Sequence, residues 1–186
     1  MSKKVLVIIS DGYEDVEAAA PIDMLTRAGI EVTIASLNGG VVRGAWGTKM
    51  QSDKRLEEID DDYHAVVLPG GLENSNSLAE SPAVIALIKK MLSEGKLVAA
   101  ICASPARVLG EAAGILREKE ACGYKGFNDR LAACGAIVVD KAVVVDGNII
   151  TSVGPATAIV FGLKIVEQLL GRPSAQKIAD QWQVEF

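Results

Sequence analysis

Cys102, Glu17 and the Gly70-Gly71 pair are the residues whose types and positions could do chemistry together. Cys102 ends the apolar run Leu97-Val98-Ala99-Ala100-Ile101 and precedes Ala103-Ser104-Pro105-Ala106. The run shows no polar–apolar alternation, so it reads as a strand covered on both faces, as in a parallel sheet. Ala100 and Ser104 stand two residues on either side of the cysteine, which is the small-residue pattern of a nucleophile elbow. A thiol there meets the partial positive charge of a helix N-terminus, which favours the thiolate. The same pattern also suits a small, inert core residue.

Glu17 is followed by Ala18-Ala19-Ala20-Pro21. Pro21 has no N–H, so the Glu17 carbonyl loses its helical donor and the helix is expected to kink or bulge there. The small residues beside Glu17 suggest close packing. A desolvated glutamate has a raised pKa and could share a proton with a thiolate, whereas a solvated one would do neither. Gly70 and Gly71 follow the apolar run Ala65–Leu68 and Pro69. With free backbone N–H groups, and with the amide of Ala103, they could form an oxyanion hole. A tight turn that only glycine fits is the other reading of the pair. The spacing is neither that of a dinucleotide-binding loop nor that of a P-loop.

The rest of the composition narrows the chemistry. The one histidine, His64, follows Asp61-Asp62-Tyr63 just before a strand, at the end opposite the proposed rim, so a Cys-His dyad is not expected. Cys102, Cys122 and Cys134 are odd in number and lack CxxC spacing, which argues against a disulfide framework or a zinc knuckle and for free thiols in a reducing compartment. Cys134 reads as packing and Cys122 as a residue near the site. No metal or cofactor is expected. With a net charge of −5, a pI of about 5.0 and 4% aromatic residues, the chain has neither the basic face nor the stacking rings of a nucleic-acid binder. No apolar run reaches membrane-spanning length. Met1-Ser2-Lys3-Lys4-Val5 leads into a strand without a cleavable signal pattern, and the chain reads as cytoplasmic.

The elements that must position these residues follow from the apolar periodicity. Strands are expected at Lys4–Ile9, Ile30–Ser36, near Val41-Val42, at Ala65–Leu68, Leu97–Ile101, Ala136–Val139, Val143–Val145 and Ile149–Ser152. Asp11 and Glu14 read as a capping box for a helix that runs to Arg27 and stops at Gly29. Glu73–Ser77 reads as a polar loop, Pro82–Glu94 and Ala103–Leu109 as helices, and Asp146-Gly147-Asn148 as a hairpin turn. Pro155 opens a long helix to Leu170, and a short one leads to Trp182. With 186 residues and 49% hydrophobic, the chain is expected to form one α/β domain over residues 1–186, a mostly parallel sheet with helices on both faces. Asp11-Gly12, Pro69-Gly70-Gly71 and Cys102 each follow a buried strand, so all three should meet at the carboxyl rim, where such sheets bind ligands.

These motifs together resemble the ThiJ/PfpI superfamily, in its protein-deglycase branch. The resemblance rests on Val5-Leu6-Val7-Ile8-Ile9 with Glu14-Asp15-Val16-Glu17, Pro21-Ile22-Asp23, Arg27-Ala28-Gly29-Ile30, Val66 to Gly71, Ala99 to Pro105, and Thr151 to Thr157. It covers nearly the whole chain in order. It implies a flavodoxin-like three-layer sandwich that forms a homodimer. It implies that Cys102 is a reactive, readily oxidised thiol, that Glu17 is its protonated partner, and that Gly70, Gly71 and the Ala103 amide bind anions. Tyr124, Trp46, Arg27 and Pro155 are further residues expected to line the site. The chain also departs from its relatives. Ala103 stands where the protease-like branch has histidine, which argues against a peptidase. Tyr124 stands where the deglycase branch often has one. Trp46, in Ala45-Trp46-Gly47, aligns with a cationic or histidine residue that reaches the site from the partner subunit, and would be an apolar lid.

Two functions of different class follow. One is a cofactor-independent cysteine enzyme acting on small α-oxoaldehydes or on glycated protein groups, of the glyoxalase III or deglycase type. The other is an oxidative-stress sensor or redox-regulated chaperone that works through oxidation of Cys102.

Overall fold

The computed structural model describes residues 2–59 and 62–186. Met1 and Asp61, which belong to motifs read above, lie outside them. In chain order the elements are β1 (Lys4–Ile9), α1 (Asp15–Arg27), β2 (Glu31–Ser36), β3 (Val41–Arg43), β4 (Lys49–Gln51), β5 (Lys54–Arg55), β6 (Ala65–Leu68), α2 (Leu72–Glu80), α3 (Pro82–Ser93) and β7 (Leu97–Ile101). A π-helix (Pro105–Ala112) follows, then β8 (Glu120–Ala121), α4 (Asn128–Ala133), β9 (Ile137–Val138), β10 (Val143–Asp146), β11 (Ile149–Ser152), α5 (Ala158–Leu170) and α6 (Arg172–Trp182).

A seven-stranded sheet in the order β10-β11-β7-β6-β1-β2-β5 forms the middle layer. All its pairings are parallel except β10 with β11, the hairpin expected at Asp146-Gly147-Asn148. Strand alternation sends Val5, Val7 and Ile9 of β1 to one face, where they pack with α1, α5 and α6. Leu6 and Ile8 go to the other face, against α3, the π-helix and α4. Each side is a continuous apolar core, so the unalternating strands are covered twice, and the flavodoxin-like three-layer sandwich is the observed fold. On one side α5 meets α1 at Gly162, where an added Cβ would lie 3.0 Å from Pro21 Cα and Met24 Cβ. That contact holds α1, and with it Glu17, against the sheet.

Two local expectations are corrected. Glu73–Ser77 is not a loop but the body of α2. Its polar residues are satisfied inside the protein. Asn74 accepts from the Ser10 N–H at 2.6 Å and donates to the carbonyls of Pro69 and Gly70, while Ser75 bonds Ser104. Asp11 and Glu14 do not form a capping box. Asp11 accepts from the Arg43 N–H, and Glu14, at the helix N-cap position, accepts from the Trp46 indole. The β3–β4 hairpin brought over the start of α1 supplies donors that the sequence order does not reveal. The helix continues through Pro21, which packs on α5 at Gly162.

Candidate active site

Strands β1, β6 and β7 run parallel and end together, and the loops after them meet at one rim. Glu14 N–H donates to the Gly70 carbonyl at 3.1 Å, joining the loop after β1 to the loop after β6. At the end of β7 the chain turns at Cys102, whose φ of +67° lies in the left-handed region. An L-residue is held there at a cost of roughly 1–2 kcal/mol, and only where its surroundings enforce it. The enforcing contacts are on both sides of the residue. Cys102 N–H donates to the Ser152 carbonyl at 3.0 Å, and its carbonyl accepts from the Tyr124 N–H at 2.9 Å. Two residues on, Ser104 bonds the Pro69 carbonyl at 2.6 Å and ties the elbow to the loop after β6. The sulfur is partly buried.

Glu17 sits in the first turn of α1 and is fully buried. Its Oε2 accepts from the Gly70 N–H at 2.9 Å. Its Oε1 is buried without a hydrogen-bond partner among the described residues. Gly70 is the wedge between Glu17 and Cys102. An added Cβ there would lie 2.2 Å from Glu17 Oε2 and 2.5 Å from Cys102 Cβ, so no other residue fits. Gly71 is held at φ +87°, and a Cβ on it would strike the Gly12 carbonyl at 2.1 Å. Both glycines are therefore consequences of three loops converging on one point.

Burial pushes the Glu17 carboxyl up to about 7, against the opposing pull of its bonds to Cys102 and Gly70 and with help from the Glu14 charge. The Cys102 thiol is pushed up to about 12, by burial first and then by the charge and hydrogen bonding of Glu17. Desolvation and the neighbouring carboxylate thus oppose the thiolate that the sequence position favours. Two of the three causes vanish when Glu17 holds the proton. The N–H groups of Gly71 and Ala103 then still point at the sulfur and favour its anion. One proton shared between carboxyl and thiol therefore governs the pair.

The other expected site residues divide. Gly70 does not offer a free N–H, because Glu17 takes it; only the amides of Gly71 and Ala103 face the sulfur. Tyr124 and Pro155 border a cleft of about 510 Å³, with Lys125, Asp140, Lys141 and Gly154. Tyr124 is half exposed and lies against Gly154, which in turn faces Glu17 Oε1. Trp46 is 79% exposed, yet it is fixed over the start of α1. Its indole N–H donates to Glu14 at 2.8 Å, and its backbone N–H donates to Asp15 at 3.0 Å. Burial raises the Asp15 carboxyl, but hydrogen bonds from Thr48 and Trp46 outweigh it and leave the group below its ordinary value. Arg27 is not at this site. It lies ten residues past Glu17 in α1, about 15 Å along the axis, where it pairs with Asp23 at 3.0 Å and covers the Trp182 ring.

His64 is also away from the rim, accepting from Lys4 N–H at the amino end of β1. Cys122 is buried against Thr151, its thiol pushed up to about 11 by burial. Cys134 packs on Gly110 of the π-helix. Among the described residues no group of three or more His, Cys, Asp or Glu could hold a metal ion, and no helix is long and apolar enough to cross a membrane. One important residue was missed in the sequence. Asn74 links the ends of β1 and β6 to α2, and the helical spacing of Asn74, Ser75 and Leu78 was the available signal.

Comparison with known proteins agrees with this architecture. The DJ-1/PfpI family model matches residues 3–168. Protein dj-1beta of Drosophila melanogaster is 43% identical over 181 residues, covering 96% of each chain. Its crystal structure superposes with a TM-score of 0.95 at 40% identity over the whole of both chains. An oxidized DJ-1 of Toxoplasma gondii superposes with a TM-score of 0.94 at 37% identity, again over both chains. A deglycase of Pyrococcus abyssi is 39% identical over 150 residues, covering 80% of this chain and 89% of that one. Against DJ-1 homolog A of Arabidopsis thaliana, 41% identical, the chain spans about half of the relative's length, 46%. With a matched family model over most of its length, and its elbow cysteine and buried glutamate at the shared rim of the sheet, the chain belongs to the DJ-1/PfpI family.

Proposed function

We propose that the protein is a cofactor-independent cysteine enzyme acting on α-oxoaldehydes, of the glyoxalase III and deglycase type. The observation that carries this reading is the buried Glu17 carboxyl, raised to about 7 and with Oε1 unpartnered, beside an elbow cysteine. A group with that pKa can give and take a proton near neutrality, as general acid–base catalysis requires. The Cys102 sulfur adds to the aldehyde carbon of methylglyoxal. The aldehyde oxygen takes the thiol proton, and a hemithioacetal forms. The Gly71 and Ala103 amides, released from the sulfur, stabilise charge on that oxygen. Ionised Glu17 removes the proton on the former aldehyde carbon, giving an enediolate, and returns it to the neighbouring carbon while the hydroxyl proton passes to the adjacent oxygen. The first carbon is thereby oxidised and the second reduced, so no external electron carrier is needed. Water then hydrolyses the resulting thioester, releasing lactate and restoring the thiol. In the deglycase form the substrate is the early adduct of the aldehyde with a protein amine or thiol. The name of the P. abyssi relative supports that form. The working unit is a homodimer in a reducing, cytoplasmic setting.

The test is conversion of methylglyoxal to lactate without glutathione, with Cys102→Ser as the control. Turnover by the wild type alone supports the enzyme; equal rates with and without the thiol end it.

A second reading, a sensor or redox-regulated chaperone working through oxidation of Cys102, is favoured by the two amides that converge on its sulfur. They would hold the oxygens of a sulfinate, as would a protonated Glu17. The oxidized T. gondii relative points the same way. Intact mass after mild peroxide separates the two readings. Two oxygens added at Cys102 alone, with negligible aldehyde turnover, favour the sensor.

A further inference from the structure

The cleft beside the cysteine is far larger than methylglyoxal needs. Its volume of about 510 Å³ falls within the roughly 300–1,000 Å³ of ordinary small-molecule sites. It shares a wall with the reactive pair. Tyr124 borders it and donates its N–H to the Cys102 carbonyl. Gly154 also borders it, and a Cβ added there would stand 3.7 Å from Glu17 Oε1 and 3.8 Å from Tyr124 Cδ2. A methyl group there would already touch both, so Gly154 is a thin wall between the unpartnered carboxyl oxygen and the Tyr124 ring. A substrate whose carbonyl end lay at Cys102 and Glu17 would pass over Gly154 to reach the cleft.

The charge at the far end has a sign. The charged residues of the cleft are Lys125, Lys141 and Asp140, one positive charge in excess. Lys125 is exposed and has no ion pair among the described residues. Lys141 reaches Glu120 only at 3.8 Å and keeps 64% of its side chain exposed. Ala142, Val153 and Pro155 supply the apolar part of its lining. We propose that this cleft is a specificity subsite for an anionic substituent, so that the preferred substrate is an α-oxoaldehyde, or its adduct, whose distal end carries a carboxylate or phosphate held by Lys125 and Lys141. The inference rests on the catalytic reading above for its chemistry, but the cleft has its own readout.

The probes are phenylglyoxal and para-carboxyphenylglyoxal, which differ only in a distal carboxylate. The wild type is expected to prefer the carboxylate by about tenfold in kcat/KM, the scale of two exposed charge pairs. Lys125→Glu with Lys141→Glu is expected to bring the ratio to one or below. Lys89→Glu, exposed on α3, is expected to leave it unchanged. A wild-type ratio of one, or a ratio indifferent to the double reversal, overturns the proposal. If neither glyoxal is turned over, the catalytic reading falls, and the cleft is judged by protection of Cys102 from iodoacetamide. Stronger protection by para-carboxymandelate than by mandelate, abolished by the double reversal, upholds the subsite. Equal protection, or none, overturns it.

Discussion

The carboxyl of Glu17 should make the fold less stable as pH rises, and Glu17→Gln isolates that effect. The native site holds its proton up to about pH 7, whereas the exposed carboxyl of the unfolded chain ionises at its ordinary value of 4.5. The native state therefore binds more protons between these values, and folding is favoured by acid in this window. Below pH 4.5 both states are protonated and nothing is lost. Stability then falls through pH 7 and levels off above it. At 1.36 kcal/mol per pKa unit the full loss is about 3 kcal/mol, with a slope no steeper than about 1.4 kcal/mol per pH unit. The Cys102 thiol is coupled to this carboxyl, so the comparison is made in a Cys102→Ser background that has no thiol to titrate. Glutamine keeps a carbonyl for the Gly70 N–H but has no proton to lose. Any cost of its buried amide is independent of pH, so only the pH-dependent difference counts. Urea unfolding from pH 4 to pH 8.5 measures it. The stability of Glu17→Gln relative to its Glu17 parent in that background should rise by about 3 kcal/mol across that range. A difference that stays constant with pH would refute the argument that burial holds the proton on Glu17.

Other expectations come from the same geometry. Cys102→Gly should be more stable than Cys102→Ala by about 1 kcal/mol in urea, the reverse of the usual order, because φ is +67°; if alanine is the more stable, the elbow is unstrained. Gly70→Ala should lose about 1–3 kcal/mol and abolish aldehyde turnover, since its Cβ would enter both Glu17 and Cys102; wild-type turnover would show the wedge has room. Asn74→Ala should lower stability by about 1–3 kcal/mol, because it leaves the Ser10 N–H without its partner, while the Pro69 carbonyl keeps Ser104. A change below 0.5 kcal/mol would mean that water replaces the side chain.

Much of the fold was legible because apolar strands write their burial directly into the chain. The unalternating runs of β1, β6 and β7 announced two covered faces, and the residues after each strand announced a shared rim. Cys102 was legible for a related reason, since a sharp turn after a strand admits only small neighbours. Glu17 was legible from the alanines and proline that follow it. Other features depended on partners distant in sequence. Asn74 and Ser75 look like loop residues until Ser10, Pro69 and Ser104 supply their bonds. Glu14 looks like a cap until Trp46 arrives on the β3–β4 hairpin. Arg27 shares a motif with Pro21, yet helix length carries it to the other end of α1.

The places of the main strands, their parallel sheet and the elbow were thus written in the chain alone, because each follows from local pattern and from which faces must be dry, whereas the order of the strands in the sheet came from the tertiary structure. Protonation and donor assignment were decided only by tertiary structure. The depth at which α1 is pressed onto the sheet by α5 sets the desolvation of Glu17. The meeting of three loops then gives the Gly70 amide to the carboxyl and leaves those of Gly71 and Ala103 for the sulfur. Such quantities depend on distances between residues tens of positions apart, and electrostatic energy in a desolvated site varies with those distances far more steeply than any sequence pattern records.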